Sequence, residues 1–365
     1  MALTAGIVGL PNVGKSTLFN AITNQKILAA NYPFATIEPN VGVVTVPDSR
    51  LDVLKEHYHP EKIIPTTFEF TDIAGLVKGA SAGEGLGNKF LSHIREVDAI
   101  CEVVRCFENG SITHVEGTIA PLRDIEIINL ELILSDLEIV ESRLDRIEKK
   151  AKATKDKETL KEVDLLYRLK EALSLNQAIR SLEFDEEEQK ILKSYQLLTA
   201  KPIIYVANVA EDELLSGNPH VQEIKDHAIK EGSIVITICS RMEEELSELE
   251  PKEKIEFLEE YGIKESGLDQ LIRATYALLG LETYFTCGPK EVRAWTFRKG
   301  MKAPACAGII HSDFERGFIR AEVISYQDLI SCGSEAKVKE EGKLRVEGKN
   351  YEMKDGDICH FRFNV

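Results

Sequence analysis

A glycine-rich segment near the start of the chain carries the residues best suited to bind phosphate groups. Gly9–Ser16 reads Gly-Leu-Pro-Asn-Val-Gly-Lys-Ser, fits the pattern G-x-x-x-x-G-K-[ST], and follows a short apolar run. In this pattern backbone N–H groups surround the phosphates, the lysine reaches the β- and γ-phosphates, and the hydroxyl ligates Mg²⁺. The sequence therefore predicts a P-loop for a nucleoside triphosphate. Its predicted contact residues are Asn12, Val13, Gly14, Lys15, Ser16 and Thr17.

Two elements further along the chain belong to the same chemistry. Asp72-Ile-Ala-Gly75 fits D-x-x-G, in which the Asp72 carboxylate can hold magnesium through water and the Gly75 N–H can meet the γ-phosphate. Thr36 lies in a predicted loop, where its hydroxyl could close on the ion. Each signal is weak alone, because D-x-x-G also occurs by chance. Their order after a P-loop predicts a magnesium site formed by Ser16, Thr36 and Asp72.

The position that would orient the attacking water holds a side chain that cannot do so. In many switch GTPases a glutamine has this role directly after D-x-x-G, and here Leu76 stands in its place. We expect slow intrinsic turnover, about 10⁻⁴–10⁻² s⁻¹. His93 and His114 are the alternatives, and His114 is preferred because it follows a predicted strand at the sheet edge where ligands bind. A histidine without a catalytic role is the competing interpretation.

Alternating strands and helices must position these loops. Short β-branched runs alternate with helical stretches, which is typical of a parallel α/β sheet. The predicted strands are Ala5–Gly9, Gly42–Val46, Thr66–Thr71, Ala99–Arg105, Pro202–Ala207 and Ser233–Cys239. We therefore predict the α/β fold class, with the sheet of a P-loop NTPase.

A long helical segment interrupts this pattern between Leu122 and Leu198. Its apolar residues recur at steps of three and four, first at Ile127, Leu130, Leu134, Leu137, Val140, Leu144 and Ile147, and then at Leu160, Val163, Leu166, Leu169 and Leu173. This periodicity predicts two helices in an antiparallel hairpin inserted into the α/β domain.

The C-terminal part is predicted to be a separate β-rich module. Turn signals at 299–300, 341–342 and 355–356 separate the candidate strands Glu291–Phe297, Gly317–Ile324, Lys343–Val346 and Ile358–Val365. One helix, Ala303–Phe314, is predicted among them. The predicted domains are 1–121 and 199–280 for the two parts of the NTPase domain, 122–198 for the helical arm, and 281–365 for the module.

Composition excludes several classes of protein. The chain has 365 residues and a net charge of −16, so it is not a protein that binds along nucleic acid through its overall charge. No apolar run reaches the length of a membrane span, and the N-terminus lacks the features of a signal peptide. The seven cysteines are scattered, with no C-x-x-C pair, so we expect core thiols in a reducing, cytoplasmic compartment.

The motifs together resemble a known family over nearly the whole chain. Gly9–Ser16, Tyr32–Pro39 and Asp72–Ala80 resemble the Obg group of P-loop GTPases. With the helical insertion and the segment Asn208-Val-Ala-Glu211, the chain is similar to the YchF / Obg-like ATPase family, and the C-terminal part resembles a TGS domain, a β-grasp module. The resemblance implies an ATPase that associates with ribosomes, through the large subunit or the whole ribosome.

Base selection depends on the segment Asn208–Glu211. Guanine-specific relatives carry N-K-x-D, whose aspartate accepts two hydrogen bonds from guanine. Here Asn208 could still meet the purine N7, Val209 replaces the stacking lysine, and Glu211 is one methylene too long. A misplaced carboxylate leaves buried groups unpaired, at about 1–3 kcal/mol each. Guanine specificity is therefore predicted to be weak, whereas a preference for ATP is implied only by the resemblance.

Two further contacts are expected. By analogy with potassium-stimulated GTPases, Asn12 could help to form a K⁺ site beside the phosphates. Residues 146–157 hold six basic and two acidic side chains at the predicted tip of the arm, where Arg146, Lys149, Lys150 and Lys152 could touch ribosomal RNA. A solvated helix end is the alternative. Near Trp295, the C-terminal module has a second basic group, formed by Lys290, Arg293, Arg298, Lys299 and Lys302.

The favoured function is a ribosome-associated ATPase switch that uses Mg²⁺. Nucleotide state is expected to order the loops around Thr36 and 75–87, and these loops to reposition the arm and the module. The alternatives are a GTP-preferring Obg-like GTPase and an ATP-binding regulatory protein whose hydrolysis is incidental. A metabolic kinase is disfavoured, because no segment forms a recognisable phosphoacceptor pocket with its catalytic base. Membrane partners are not expected.

Overall fold

The computed structural model describes residues 3–24, 40–74, 86–154 and 156–364. These residues form two compact units. The first contains residues 3–24, 40–43, 69–74, 86–154 and 156–271, and the second contains residues 44–68 and 272–364. The second unit therefore takes in a segment from the N-terminal third of the chain, which the predicted domain bounds assigned to the NTPase part.

The first unit is built around a six-stranded sheet of order β2-β4-β1-β5-β6-β7. The strands are β1 (Thr4–Val8), β2 (Val41–Thr45), β4 (Thr67–Asp72), β5 (Ala99–Arg105), β6 (Ile203–Asn208) and β7 (Ile234–Ile238). Pairing is parallel from β4 through β1, β5 and β6 to β7. Every residue of β5 and β6 is buried, as expected for central parallel strands covered on both faces. The predicted α/β fold class is confirmed.

Helices cover this sheet and extend it into an arm. The helices with residues in this unit are α1 (Lys15–Asn24), α3 (Leu86–Glu96), α4 (Pro121–Thr154), α5 (Lys157–Ser174), α6 (Glu186–Tyr195), α7 (Glu213–Ser216), α8 (Pro219–Glu231), α9 (Ser240–Glu248), α10 (Pro251–Glu260) and α11 (Gly267–Leu278). The helices α4 and α5 pack together as the predicted hairpin. Asp156 begins α5 by accepting a hydrogen bond from the Thr159 N–H.

Three apolar residues of the periodic pattern in the arm are exposed. Leu130, Leu134 and Leu160 are 43%, 39% and 45% exposed, so the pattern does not mark the buried face at these positions. Ile133 is buried in that core together with Val140 and Leu144. A straight helix has 3.6 residues per turn, and a stripe of this length therefore drifts around the axis. Among the described residues, no helix is long and apolar enough to cross a membrane, although α4 spans 34 residues.

The second unit is a mixed sheet of order β11-β10-β12-β8-β9-β3. Its strands are β3 (Lys62–Ile64), β8 (Leu281–Cys287), β9 (Glu291–Arg298), β10 (Phe318–Ser325), β11 (Arg345–Glu347) and β12 (Asp357–Phe363). Helices α12 (Ala303–Ile310) and α13 (Ser312–Arg316) accompany one buried cluster, and α2 (Arg50–Tyr58), α14 (Tyr326–Cys332) and α15 (Glu335–Glu340) contribute to another.

The prediction of a single helix in this module was wrong. The helix predicted over 303–314 is interrupted at His311, which has an extended backbone and caps α13 with its ring. Two further short helices begin where Ser325 and Ser334 accept hydrogen bonds from the N–H groups of Asp328 and Lys337. Such short helices give little periodicity, so their caps are the main local signal.

Candidate nucleotide site

The P-loop has the backbone that its glycines predict. It connects β1 to α1, and Asn12 and Gly14 have φ values of 64° and 96°. A Cβ on Gly14 would lie 2.1 Å from Asn208 Nδ2, and a Cβ on Gly9 would lie 2.8 Å from the Val103 carbonyl oxygen. Only glycine fits at these two positions without displacing its neighbours. The loop leads into the first turn of α1, whose free N–H groups favour an anion.

Asn208 joins the P-loop to the segment that follows β7. It ends β6, and its Nδ2 donates a hydrogen bond of 2.8 Å to the Val13 carbonyl. Its Oδ1 accepts a hydrogen bond of 2.9 Å from the Ser240 N–H. One amide therefore joins the loops after β1, β6 and β7. The amide is buried, and it has a second N–H donor besides the one bound to Val13.

Lys15 and Asp72 form an ion pair across the phosphate end of the site. Their side chains come from the start of α1 and the end of β4. Thr36 and Gly75 lie outside the described residues, as does Leu76.

The loop formed by residues 106–113, here called the wall loop, supplies one side of a pocket of about 1010 Å³. Predicted residues and unpredicted ones line this pocket together. The predicted ones are Asn12, Gly14, Lys15, Ser16, Thr17, Asn208, Val209 and Glu211. The unpredicted ones include Phe107, Glu108, Asn109, Ile112, Ser240 and Arg241.

Ser240 is the residue whose role sequence reasoning missed most clearly. It is 2% exposed, lines the pocket, and its Oγ has no hydrogen-bond partner in the described part of the chain. An unpaired buried hydroxyl costs free energy unless a ligand or water meets it. Its position two residues after β7, at the start of α9, was the available signal, because ligands bind at the carboxyl ends of parallel strands.

Val209 and Glu211, the residues predicted to meet the base, also line the pocket. Val209 is buried, whereas Glu211 is exposed. The nearby Glu211 carboxylate raises the pKa of the Tyr261 phenol. The two side chains therefore lie close enough to interact.

His114 lies beside the site and not among the residues that line it. It is 6% exposed, and its Nε2 is 2.9 Å from Asp124 Oδ2. Its Nδ1 accepts a hydrogen bond of 3.1 Å from the Glu116 N–H. The ring proton is therefore on Nε2 and is donated to Asp124, so both ring nitrogens are engaged. His93 lies on α3.

Two family models match the chain. A model described as "50S ribosome-binding GTPase" matches residues 4–136. The YchF-GTPase C-terminal model, described as "Protein of unknown function (DUF933)", matches residues 281–364.

Similar proteins extend over the full length. The chain is 64% identical over 367 residues to "Ribosome-binding ATPase YchF" of Bacillus subtilis, with 100% of each chain covered. It is 56% identical to the protein of the same name from Haemophilus influenzae, again with 100% of each covered. The solved structure of the Schizosaccharomyces pombe YchF GTPase is similar with a TM-score of 0.90 and 42% identity, covering 99% of this chain and 97% of that one. This protein belongs to the YchF family.

Proposed function

We propose that the protein is an ATPase that binds and hydrolyses ATP with Mg²⁺ and acts as a nucleotide-dependent switch on ribosomes. One observation carries the proposal: the P-loop and Asn208 line one large pocket, and Lys15 of that pocket forms an ion pair with Asp72. The bacterial relatives bear the name of a ribosome-binding ATPase, whereas the yeast structure is titled a GTPase. Base preference is therefore the first property to be tested.

Weak guanine recognition is supported by the surroundings of Glu211. Guanine would require a carboxylate that accepts two hydrogen bonds from its N1–H and amino group. The Tyr261 phenol lies close enough to Glu211 for the carboxylate to raise its pKa, so guanine would have to compete with this phenol for the carboxylate. The Asn208 amide can serve either purine, because both have N7. Val209 offers only an apolar surface to a base.

The described residues fit a magnesium ion. Ser16 offers a hydroxyl and Asp72 a carboxylate, and Mg²⁺ prefers such oxygen ligands while it retains several waters. We propose Ser16, Thr36 and Asp72 as the residues that hold the ion, with the phosphates of the nucleotide. When bound, the ion would offset the charge that develops on the phosphates. An additional K⁺ contact is proposed for the side-chain oxygen of Asn12, whose Nδ2 donates to the Thr113 carbonyl.

The arm tip is the proposed contact with ribosomal RNA. Arg146, Lys149 and Lys150 lie in the last turns of α4 and are exposed. Lys152 follows them in the same helix. Their positive charge contrasts with the net charge of −16 for the chain, so RNA would be attracted to this end of the arm. A ribosomal partner would place the protein in the cytoplasm.

His114 is proposed to orient the attacking water in the active complex. In the structure its ring is held by Asp124 and Glu116, so the loop that carries it would have to rearrange. The single-turnover rate of His114→Ala tests this role, since an unchanged rate would exclude it.

The test of the proposed function is direct binding of ATP and GTP, each with Mg²⁺, to protein stripped of nucleotide. We expect ATP to bind at least about tenfold more tightly, a difference of about 1.4 kcal/mol. The Glu211→Asp variant is the matched comparison, because its shorter carboxylate should improve GTP binding more than ATP binding. Tighter binding of GTP by the parent protein would instead identify an Obg-like GTPase. Binding of neither nucleotide would overturn the proposal.

A further inference from the structure

The wall loop lies between the two parts of the site that are expected to bind phosphates and base. It follows β5, and β5 pairs with β1 on one side and with β6 on the other. The P-loop follows β1 and the segment Asn208–Glu211 lies at the end of β6. The Thr113 carbonyl, at the end of the wall loop, accepts a hydrogen bond of 3.1 Å from Asn12 Nδ2. The position of the wall loop therefore determines the space available to the nucleoside.

One buried side chain holds the backbone of this loop. Arg105, the last residue of β5, is 2% exposed. Its Nε donates to the Phe107 carbonyl at 3.2 Å, and its Nη2 donates to the carbonyls of Asn109 and Ile112 at 3.4 and 3.1 Å. The three carbonyl groups are distributed along the wall loop, so one guanidinium group holds the loop backbone at three points.

Arg105 also holds the aromatic ring of the wall. Its Cζ is 4.5 Å from the centroid of the Phe107 ring, and Phe107 lines the pocket. A cation at this distance attracts the face of the ring. Arg105 itself is not among the residues that line the pocket. It therefore acts on the ligand only through the loop.

The burial of this charge is expensive for the fold. Arg105 Nη1 has no hydrogen-bond partner among the described residues. Burial lowers the pKa of Arg105, and the nearby Asp124 carboxylate opposes that shift. An apolar side chain would avoid this cost but could not bind three carbonyl groups. The cost of burying Arg105 is therefore explained if its function is to hold the wall loop that forms one side of the pocket.

We propose that Arg105 is a positioning residue for nucleotide binding, which keeps the wall loop in the shape that accepts the nucleoside. The inference rests on the proposed nucleotide-binding function and adds a residue outside the pocket to it. It predicts a selective effect. Affinity for a whole nucleotide depends on Arg105, whereas affinity for the bare phosphate chain depends on the P-loop and the proposed magnesium ligands.

The experiment compares the binding of Mg·ATP and of Mg·tripolyphosphate, by calorimetry, to the full-length protein and its variants. Arg105→Met should weaken ATP binding by about tenfold, because a displaced wall loses contacts worth about one hydrogen bond. Tripolyphosphate affinity should change by no more than about twofold, an effect below 0.5 kcal/mol on the same scale. Arg105→Lys keeps the charge but not the forked donors, and should lie between the parent and Arg105→Met.

Arg180→Met is the matched control. Arg180 is a second buried arginine in the first unit, bound to Glu231 and Asn129, and it does not line the pocket. Its loss should lower the stability of the fold and leave the ratio of the two affinities unchanged.

The binding measurements either support or overturn the proposed role of Arg105. Parental ATP affinity in a folded Arg105→Met protein, or an equal loss for both ligands, overturns the inference. If Arg105→Met does not fold, Arg105→Lys decides: a loss confined to ATP supports the inference, and unchanged ATP affinity overturns it. If the parent protein binds neither ligand, the proposed function has failed instead.

Discussion

At the scale of single residues, Gly14 lies where the P-loop passes the end of β6. Its φ of 96° falls in the left-handed region, and the space where a Cβ would extend is occupied by Asn208 Nδ2 at 2.1 Å. The same amide bonds to the Val13 carbonyl and the Ser240 N–H. A side chain at position 14 would therefore disturb the contact that joins three loops of the site.

Gly14→Ala is expected to weaken Mg·ATP binding by at least about tenfold, through backbone strain and displacement of Asn208. Isothermal titration calorimetry measures the change. Gly348→Ala is the control, because Gly348 is exposed, does not line the pocket, and a Cβ there meets nothing within 4 Å. If Gly14→Ala bound ATP like the Gly348 variant, the close approach of Asn208 would not matter for nucleotide binding.

At the scale of elements, one buried carboxylate joins α9 to α11. Glu243 is 4% exposed, and its Oε1 accepts a hydrogen bond of 2.8 Å from the Gly267 N–H at the start of α11. That N–H is one of the helix donors without an intrahelical partner. Burial raises the pKa of Glu243 to about 7, although the backbone hydrogen bond opposes the shift.

This raised pKa predicts a loss of stability with increasing pH. Below the unfolded-state pKa both states are protonated, and between that pKa and about 7 only the folded state retains the proton. From pH 5 to 8 the free energy of unfolding should fall by up to about 3 kcal/mol relative to Glu243→Gln. Urea unfolding across this range measures the difference.

Glu248→Gln, on the exposed side of the same helix, is the control for this series. Its stability should follow that of the parent protein at every pH. Parallel pH profiles for the parent and Glu243→Gln would show that the buried carboxylate does not titrate in this range.

A second buried carboxylate joins α4 of the arm to the segment that precedes β6. Asp136 on α4 is 0% exposed and accepts hydrogen bonds from the N–H groups of Leu198 and Thr199, at 2.9 and 2.7 Å, and from the Thr199 hydroxyl. Burial raises the pKa of Asp136, and these hydrogen bonds oppose the shift. The chain that returns from the arm is thereby joined to α4 just before β6 begins.

At the scale of the whole molecule, charge is distributed unevenly. The chain carries a net charge of −16, whereas Arg146, Lys149 and Lys150 are exposed at the end of α4. An acidic protein that binds RNA needs a local positive surface, because the rest of the protein repels the phosphates, and this repulsion is weakly screened at low salt.

Replacing Arg146, Lys149 and Lys150 together with Glu should reduce ribosome binding by about tenfold or more, since three phosphate contacts would become repulsive. Co-sedimentation with ribosomes over a range of salt concentrations measures the loss. The control replaces the exposed residues Lys225, Lys230 and Lys252 with Glu, which gives the same change in net charge. Equal co-sedimentation of the two triple variants would exclude the arm tip as the contact.

The sequence by itself determined the features that depend on neighbours along the chain. The P-loop pattern requires only consecutive residues, and β5 was predicted at Ala99–Arg105, as observed, because an apolar β-branched run marks a buried strand. The hairpin followed from the same kind of local periodicity. The family was also identified from motifs of this kind, and the similar proteins confirm it.

Only the tertiary structure decided what depends on contacts between distant segments. Arg105 is unremarkable in the sequence, and its role is visible only once three carbonyl groups fold back onto it. Ser240 is joined to the P-loop through Asn208, which lies 32 positions earlier in the chain. The segment 44–68 joins the C-terminal sheet because β3 pairs with β9. No local pattern encodes such pairings, since they are stabilised by surfaces that exist only after the chain has folded.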